Sequence, residues 1–413
     1  MSNTTRTLLG LIVGIIAGIA FAWIDAPSAI AVADVVQPIG KLWLNALQMT
    51  VVPLVLALVV VGVNAARDAA SSGRVARRAI ITFVGVLAVG AALAALLAPP
   101  ALALLPHNPA LTDALAITTS DAIDVTAPTW ADWFAGIVPT NAIAAAAESA
   151  MLPLVVFALF LGFALPHLQE DRRALLLNFF QALSDAMIVI VRWVLLLAPL
   201  GVFALIFAVG ARSGLAMLSA LGAYVLLEIA LYILAGALMI AAAVLFGGER
   251  LGRFLAAIAP AQAVAASTQS SLASLPAMLE SAAKLGHPHE VRGLVLPMAV
   301  SLCRLTSPIQ YIVSACFIAW AFGIHVDATH LTAGAALAVV VSMGSVGLPG
   351  QVSFLATNLP VTQAMGLPVG PLGVMLAVDT LPDVFATTGN VTADLAATSI
   401  VARRMRRDEE HAT

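Results

Sequence analysis

The chain has 413 residues, of which 61% are hydrophobic and 10% charged, with a formal net charge of -3 and a mean hydropathy of +1.02. Soluble domains run nearer half apolar and a quarter charged, so water alone cannot be the solvent. No zinc, haem, Walker A or dinucleotide pattern occurs, and no nucleic-acid partner is expected.

A membrane span takes about 20 mostly apolar residues. By that measure the first span is 7–25. Arg6 precedes it and small residues around Ala29 to Ala33 follow, as in a secretory signal. The length of the run and the spans that come directly after it favour a retained membrane helix. Further spans follow at 37–64, 78–105, 132–166, 181–209 and 215–247, several long enough to imply tilted or broken helices. Arg67, Arg74, Arg77 and Arg78 lie between the second and third spans, Arg172 and Arg173 after the fourth, and Arg250 and Arg253 after the sixth. Arg403, Arg404, Arg406 and Arg407 end the chain, whereas the 106–131 connection carries Asp113, Asp121 and Asp124 and no basic residue. The positive-inside rule then predicts cytoplasmic termini.

From about 251 the apolar stretches are interrupted. Serine and proline cluster at 266–276, and serine, glycine and proline at 342–351, each cluster between apolar arms too short to span singly. Irregular backbone at membrane depth is tolerated only under cover of protein or beside a water-filled cavity. Two such interruptions in corresponding positions predict re-entrant hairpins of opposite orientation, with a binding site where their helix ends meet. Cys303 and Cys316 share one apolar stretch and read as small core residues, not as metal ligands or a disulfide framework. Arg304 stands midway through that stretch, too deep to reach an interface, and wants a carboxylate partner.

The segment 366–402 supplies candidates. At 100° per residue, Asp379, Asp383, Thr387, Asn390 and Asp394 fall within about 80° on a helical wheel. Charges at bilayer depth cost several kcal/mol each, so this stripe must face a cavity, ions or a ligand. A serine hydrolase built on Ser270 or Ser271 is disfavoured, because all seven histidines lie in loops or at span ends and no base is in reach. A continuous channel fits an occluding pair of hairpins poorly.

These residues resemble the dicarboxylate/amino acid:cation symporter family, the glutamate-transporter homologues, over nearly the whole chain. Ser270-Ser271-Leu272-Ala273-Ser274-Leu275-Pro276 looks like the first hairpin tip and Gly347-Leu348-Pro349-Gly350 like the second. Ile137-Val138-Pro139-Thr140-Asn141 and Ala198-Pro199-Leu200-Gly201-Val202-Phe203-Ala204 match scaffold segments, and Asp379 to Arg403 matches the last span. The resemblance implies an all-α polytopic membrane protein of about eight transmembrane helices plus two re-entrant hairpins. It also implies a homotrimer in a bacterial-type inner membrane, working as an elevator-type secondary transporter and not as an enzyme. The division is scaffold spans 1–2 (1–75), span 3 with an outer loop (76–130), scaffold spans 4–5 (131–214) and span 6 (215–250). A first hairpin (251–287), span 7 (288–324), a second hairpin (325–365), span 8 (366–405) and a cytoplasmic tail (406–413) complete it.

By position in the family, Asp383 is expected to hold a substrate amino group and Asn390 its α-carboxylate, with Thr387 alongside. Ser270, Ser271, Ser307, Val346, Gly347, Pro349 and Gly350 are expected to complete the substrate site, and Asp379, Asn390 and Asp394 the ion-coupling site. No cofactor is expected. The departures bear on the substrate and the coupling ion. Ala386 stands where acidic-substrate members carry an arginine. The family's Asn-Met-Asp-Gly-Thr run is here Cys303-Arg304-Leu305-Thr306-Ser307, with Leu305 in place of a sodium-ligating aspartate. The third-span ligands of the same ion map to Phe83, Val86 and Leu87. Hard cations want oxygen ligands, so at least one sodium site is expected to be absent, leaving a possible sodium position only at Asn390 and Asp394. Arg304 then has two readings. It is a built-in cation surrogate, with coupling shifted to protons or abandoned for exchange, or it is a relocated clamp for an acidic substrate. Neutral amino acids, acidic amino acids and small dicarboxylates stay open as substrates, H+ and Na+ as coupling ions, and a transport-silent sensor as the alternative function.

Overall fold

The computed structural model describes residues 3–24, 26–71, 73–106, 112, 115, 136–148, 150–213, 215–344 and 350–412. Helix follows helix, and no strand occurs among the described residues. In chain order they are α1 (Asn3–Ile24), α2 (Ala26–Gln48), α3 (Val51–Ser71), α4 (Arg74–Ala103), α5 (Ala142–Ala147), α6 (Met151–Ala164), α7 (Glu170–Leu196), α8 (Ala198–Ser213) and α9 (Leu215–Leu245). The second half supplies α10 (Leu251–Thr268), α11 (Ser271–Lys284), α12 (His289–Leu302), α13 (Thr306–Phe322), α14 (Ala328–Gly344), α15 (Gly350–Ala364), α16 (Leu372–Val378) and α17 (Thr380–Ala412). Among the described residues five helical stretches are long and apolar enough to cross a membrane: 30–65, 74–103, 170–196, 219–245 and 289–322. The chain is thus an all-α polytopic membrane protein.

Several stretches that read as single spans are divided. The run 37–64 breaks at Met49-Thr50, where the Thr50 hydroxyl donates to the Leu47 carbonyl at 2.7 Å. The run 181–209 breaks between α7 and α8, because Pro199 is tolerated in a first helical turn but not in a helix interior. In 132–166, Asn141 caps α5 by accepting from the N–H groups of Ile143 and Ala144, and α6 starts afresh beyond it.

Small residues decide how the first helices meet. Gly10, Gly14 and Gly18 form one stripe of α1, at the same four-residue spacing as Pro199, Phe203 and Phe207 on α8. A Cβ at these glycines would stand 2.4, 3.1 and 2.8 Å from the three carbonyl oxygens in turn, so only hydrogen allows this approach. Lipid offers no hydrophobic drive to pair helices, and close backbone contact supplies it instead. Gly201 on α8 makes room for the Trp43 ring on α2, and Arg212 at the end of α8 pairs with Asp34 of α2.

The second half closes around α17, which is buried through most of 386–402 and touches α4, α9, α10, α11 and α12. The arginine-bearing end of this group is tied by polar contacts. His287, in the turn between α11 and α12, has Nε2 at 2.9 Å from Ser399 Oγ and 3.6 Å from Glu249 Oε1. Arg292 donates to the His287 carbonyl at 3.1 Å, and Arg403 to that of Leu245 at 3.0 Å. Burial pushes the imidazole down to about 4, reinforced by the charges of Arg406, Arg253 and Arg292. Burial also raises Glu249, against the pull of Arg253 and Arg406.

Candidate functional site

The apolar run 289–322 is broken where its arginine stands. α12 ends at Leu302, Cys303 leaves helical geometry, and α13 begins at Thr306. The side chain of Asn390 on α17 caps the new helix: its Oδ1 accepts from the Thr306 N–H at 3.0 Å and lies 3.0 Å from the Thr306 hydroxyl. That hydroxyl is also 3.3 Å from the Ala386 carbonyl, and Gly389 lets the two helices approach. With its oxygen engaged, Asn390 offers a ligand only its N–H groups.

Asp379 interrupts the last helix for one residue, between α16 and α17, but the Asp383 N–H still donates to the Asp379 carbonyl at 3.1 Å. The expected stripe therefore continues across the interruption. Asp379 is buried and accepts from Gln310 Nε2 of α13 at 2.5 Å. Asp394 is fully buried, and neither of its carboxylate oxygens has a hydrogen-bond partner among the described residues.

Arg304, Ser307, Asp379, Asp383, Ala386 and Asn390 come together around one void, with Tyr232 of α9 and Tyr311 of α13 completing its wall. The void is about 10 Å³, room for about one water and far too small for an amino acid. Arg304 is the cation within electrostatic reach of Asp379, Asp383 and Asp394. The guanidinium forms no ion pair within 4 Å and no side-chain hydrogen bond among the described residues. The sequence suggests a direct carboxylate partner for Arg304; among the described residues the structure instead leaves its donors uncommitted beside the void.

The first interruption lies between α10 and α11, which pack on each other and on α17. Gln269 adopts left-handed backbone, φ 51°, and its side chain donates to the Thr380 carbonyl at 3.0 Å, which sets this tip against the start of α17. Ser270 caps α11 by accepting from Ala273 N–H at 3.2 Å, and Ser271 opens that helix. Neither serine lines the void, nor do Thr387 and Asp394. Val346, Gly347 and Pro349 lie outside the described residues, and Gly350 begins α15.

Apolar side chains occupy the positions that the resemblance implies as ligands of a sodium ion. Phe83, Val86 and Leu87 share a face of α4 with Gly90, and all three side chains are buried. A Cβ on Gly90 would stand 2.7 Å from the Leu305 carbonyl oxygen, so this face of α4 lies directly on the break, and Leu305 is itself fully buried.

Glu228 escaped the sequence reading. It is the lone charged residue in the apolar run 215–247, and Tyr224 and Tyr232 flank it at one-turn spacing. In the structure it is fully buried, and the Tyr224 hydroxyl donates to its Oε1 at 2.7 Å. A charge alone at the middle of a span was the available signal.

Known proteins resemble this chain along its length. The model of the sodium:dicarboxylate symporter family matches residues 4–404. The proton/sodium-glutamate symport protein of Bacillus subtilis (strain 168) is 28% identical over 408 residues, covering 97% of this chain and 92% of that protein. The proton/glutamate-aspartate symporter of Escherichia coli (strain K12) is 28% identical over 402 residues, 96% of this chain and 92% of the other. A C4-dicarboxylate transport protein of Anaeromyxobacter dehalogenans (strain 2CP-1 / ATCC BAA-258) is 29% identical over 379 residues, 91% and 83% of the two chains.

Proposed function

This chain belongs to the sodium:dicarboxylate symporter family, a family of secondary transporters and not of enzymes, and from that premise we propose that it carries an acidic amino acid or a C4-dicarboxylate with Arg304 as its carboxylate clamp. One observation carries the reading: Arg304 lines the void, and its guanidinium has no committed partner among the described residues. Its planar fork matches a carboxylate bidentately, and it takes over the task for which Ala386 has no side chain. Asn390 offers its N–H groups to a second carboxylate, and Asp383 is placed for an amino group. The relatives named for glutamate, aspartate and C4-dicarboxylates agree with an acidic solute.

The coupling ion in this reading is the proton. A sodium ion at Asn390 and Asp394 would find the amide oxygen already engaged by Thr306. At the second sodium position implied by the resemblance, Leu305, Phe83, Val86 and Leu87 are buried and have no side-chain oxygen to offer a cation. A buried carboxylate such as Asp394, with neither oxygen bonded, requires a proton or a cation. The same proposal takes in the arrangement that the resemblance implies: a homotrimer, cytoplasmic termini, a fixed scaffold that includes α1, α2 and α8, and an elevator movement of the hairpins with α13 and α17.

The test is the melting temperature of the purified protein against aspartate, glutamate, succinate and neutral amino acids, in sodium, in choline and across pH. A ligand at 100 times its Kd stabilises by about 2.7 kcal/mol. Stabilisation by acidic solutes that persists in choline and varies with pH is expected. Stabilisation by neutral amino acids alone removes the clamp, and a requirement for sodium returns coupling to Asn390 and Asp394.

A further inference from the structure

Glu228 sits within the helical span 219–245, and its side chain is fully buried. One oxygen is accounted for: Oε1 accepts from Tyr224, whose hydroxyl also lies 3.0 Å from Ser314 Oγ on α13. Oε2 is buried with no partner among the described residues. One turn further along α9 the Tyr232 hydroxyl is buried and likewise without a partner, and Tyr232 lines the substrate void. The groups of charge that face Glu228 are Tyr224 and Tyr232 on its own helix and, from the last span, Asp379 and Asp383. Ser314 from α13 is neutral, and no lysine, arginine or histidine pairs with the carboxyl among the described residues.

We propose that Glu228 binds the coupling proton, at a site outside the substrate void and joined to it by Tyr232. An ionised Glu228 would face two further carboxylates with a single hydrogen bond in its favour, in a medium that supplies no water. A proton on Oε2 removes the charge and turns the orphaned acceptor into a donor. The balance is simple: Oε2 takes up one proton on the side where solute loads and returns it to water on the other, and no other bond changes. A purely structural role, as acceptor for Tyr224, needs only one oxygen, and a glutamine would fill it. The inference rests on the transport reading above, but the residue that holds the proton is separable from the solute that is carried.

The experiment uses full-length protein in liposomes with labelled aspartate or succinate. Wild type is expected to accumulate solute under an inward proton gradient. Glu228→Gln is expected to lose that accumulation while still exchanging labelled for unlabelled solute, a mode that needs no net proton movement. Tyr224→Phe keeps the carboxyl, removes its donor, and is expected to shift the pH midpoint of uptake. Infrared spectra supply an independent readout: a carboxylic-acid C=O band is expected in wild type and is lost in Glu228→Gln. Glu228→Gln that still accumulates solute under the gradient overturns the assignment, and so does a spectrum identical to wild type. Loss of exchange together with accumulation, in a variant that melts like wild type, also overturns it. Should Glu228→Gln not fold, an unchanged pH midpoint in Tyr224→Phe has the same force. If the band is lost as expected but wild type moves no acidic solute, the substrate reading fails and the proton site stands.

Discussion

Replacing Arg304 with methionine separates the two roles open to that side chain. The substitution keeps length and flexibility and removes five donors and a charge. No hydrogen bond or ion pair of the described residues goes with it, so the loss should appear in binding and not in folding. Removing one partner of a desolvated, hydrogen-bonded charge pair costs about 2 to 5 kcal/mol. That is a weakening of roughly 30-fold to several thousand-fold in Kd. The assay is calorimetric or scintillation binding of aspartate and succinate, set beside alanine and serine. Acidic solutes should lose affinity by that amount and neutral ones far less, since their single carboxylate is met by Asn390. Arg304→Lys should fall between, having the charge but not the fork. Equal weakening of acidic and neutral solutes would refute the clamp and make Arg304 a resident cation that supports the site as a whole.

Two further outcomes follow from the packing. A methyl group at Gly10 would press on the Pro199 carbonyl at 2.4 Å, so Gly10→Ala should lower the melting temperature by the equivalent of about 1 to 3 kcal/mol; Gly85→Ala, with nothing within 4 Å, should not, and equal effects would discard the zipper of α1 and α8. Buried neutral His287, held at about 4 against an ordinary 6.5, contributes stability that is complete above pH 6.5 and lost as pH falls toward 4. The full shift corresponds to about 3 kcal/mol. Glu249, raised by burial, works with the opposite sign, its contribution fading as pH rises. Melting curves between pH 4 and 7 should therefore be flatter for His287→Gln than for wild type, and parallel curves would remove the histidine from the balance.

Much of the site was legible because lipid makes polarity conspicuous. A buried aspartate costs so much that a stripe of five polar positions could be read from spacing alone, and Arg304 stood out for the same reason. The breaks that create the site were only half legible. Serines and a following proline marked the tip at Ser270, but nothing in Cys303-Arg304-Leu305 announces that the helix ends there and restarts at Thr306. That ending depends on Asn390, 84 residues away, as the cap. Arg304 shows a different limit. Composition demands a counter-charge, but only the fold decides that three carboxylates are near and none within 4 Å. The pairing of Gly10, Gly14 and Gly18 with Pro199, Phe203 and Phe207 is periodic in both helical segments, and becomes visible once α1 and α8 are known to be neighbours.

Gln269 gives the first tip a mechanical character. It is the one non-glycine residue with positive φ among those described, a geometry that costs an L-residue about 1 kcal/mol or more. Its amide holds the Thr380 carbonyl at 3.0 Å, one residue from Asp379. A net hydrogen bond is worth about as much as the backbone strain it retains. The Gln269 N–H also donates to the Ala265 carbonyl at 2.9 Å, so this residue is pinned twice, once to its own helix and once to the start of α17. Glycine at position 269 would shed the contact and the strain together, leaving the end of α10 set against α17 by packing alone.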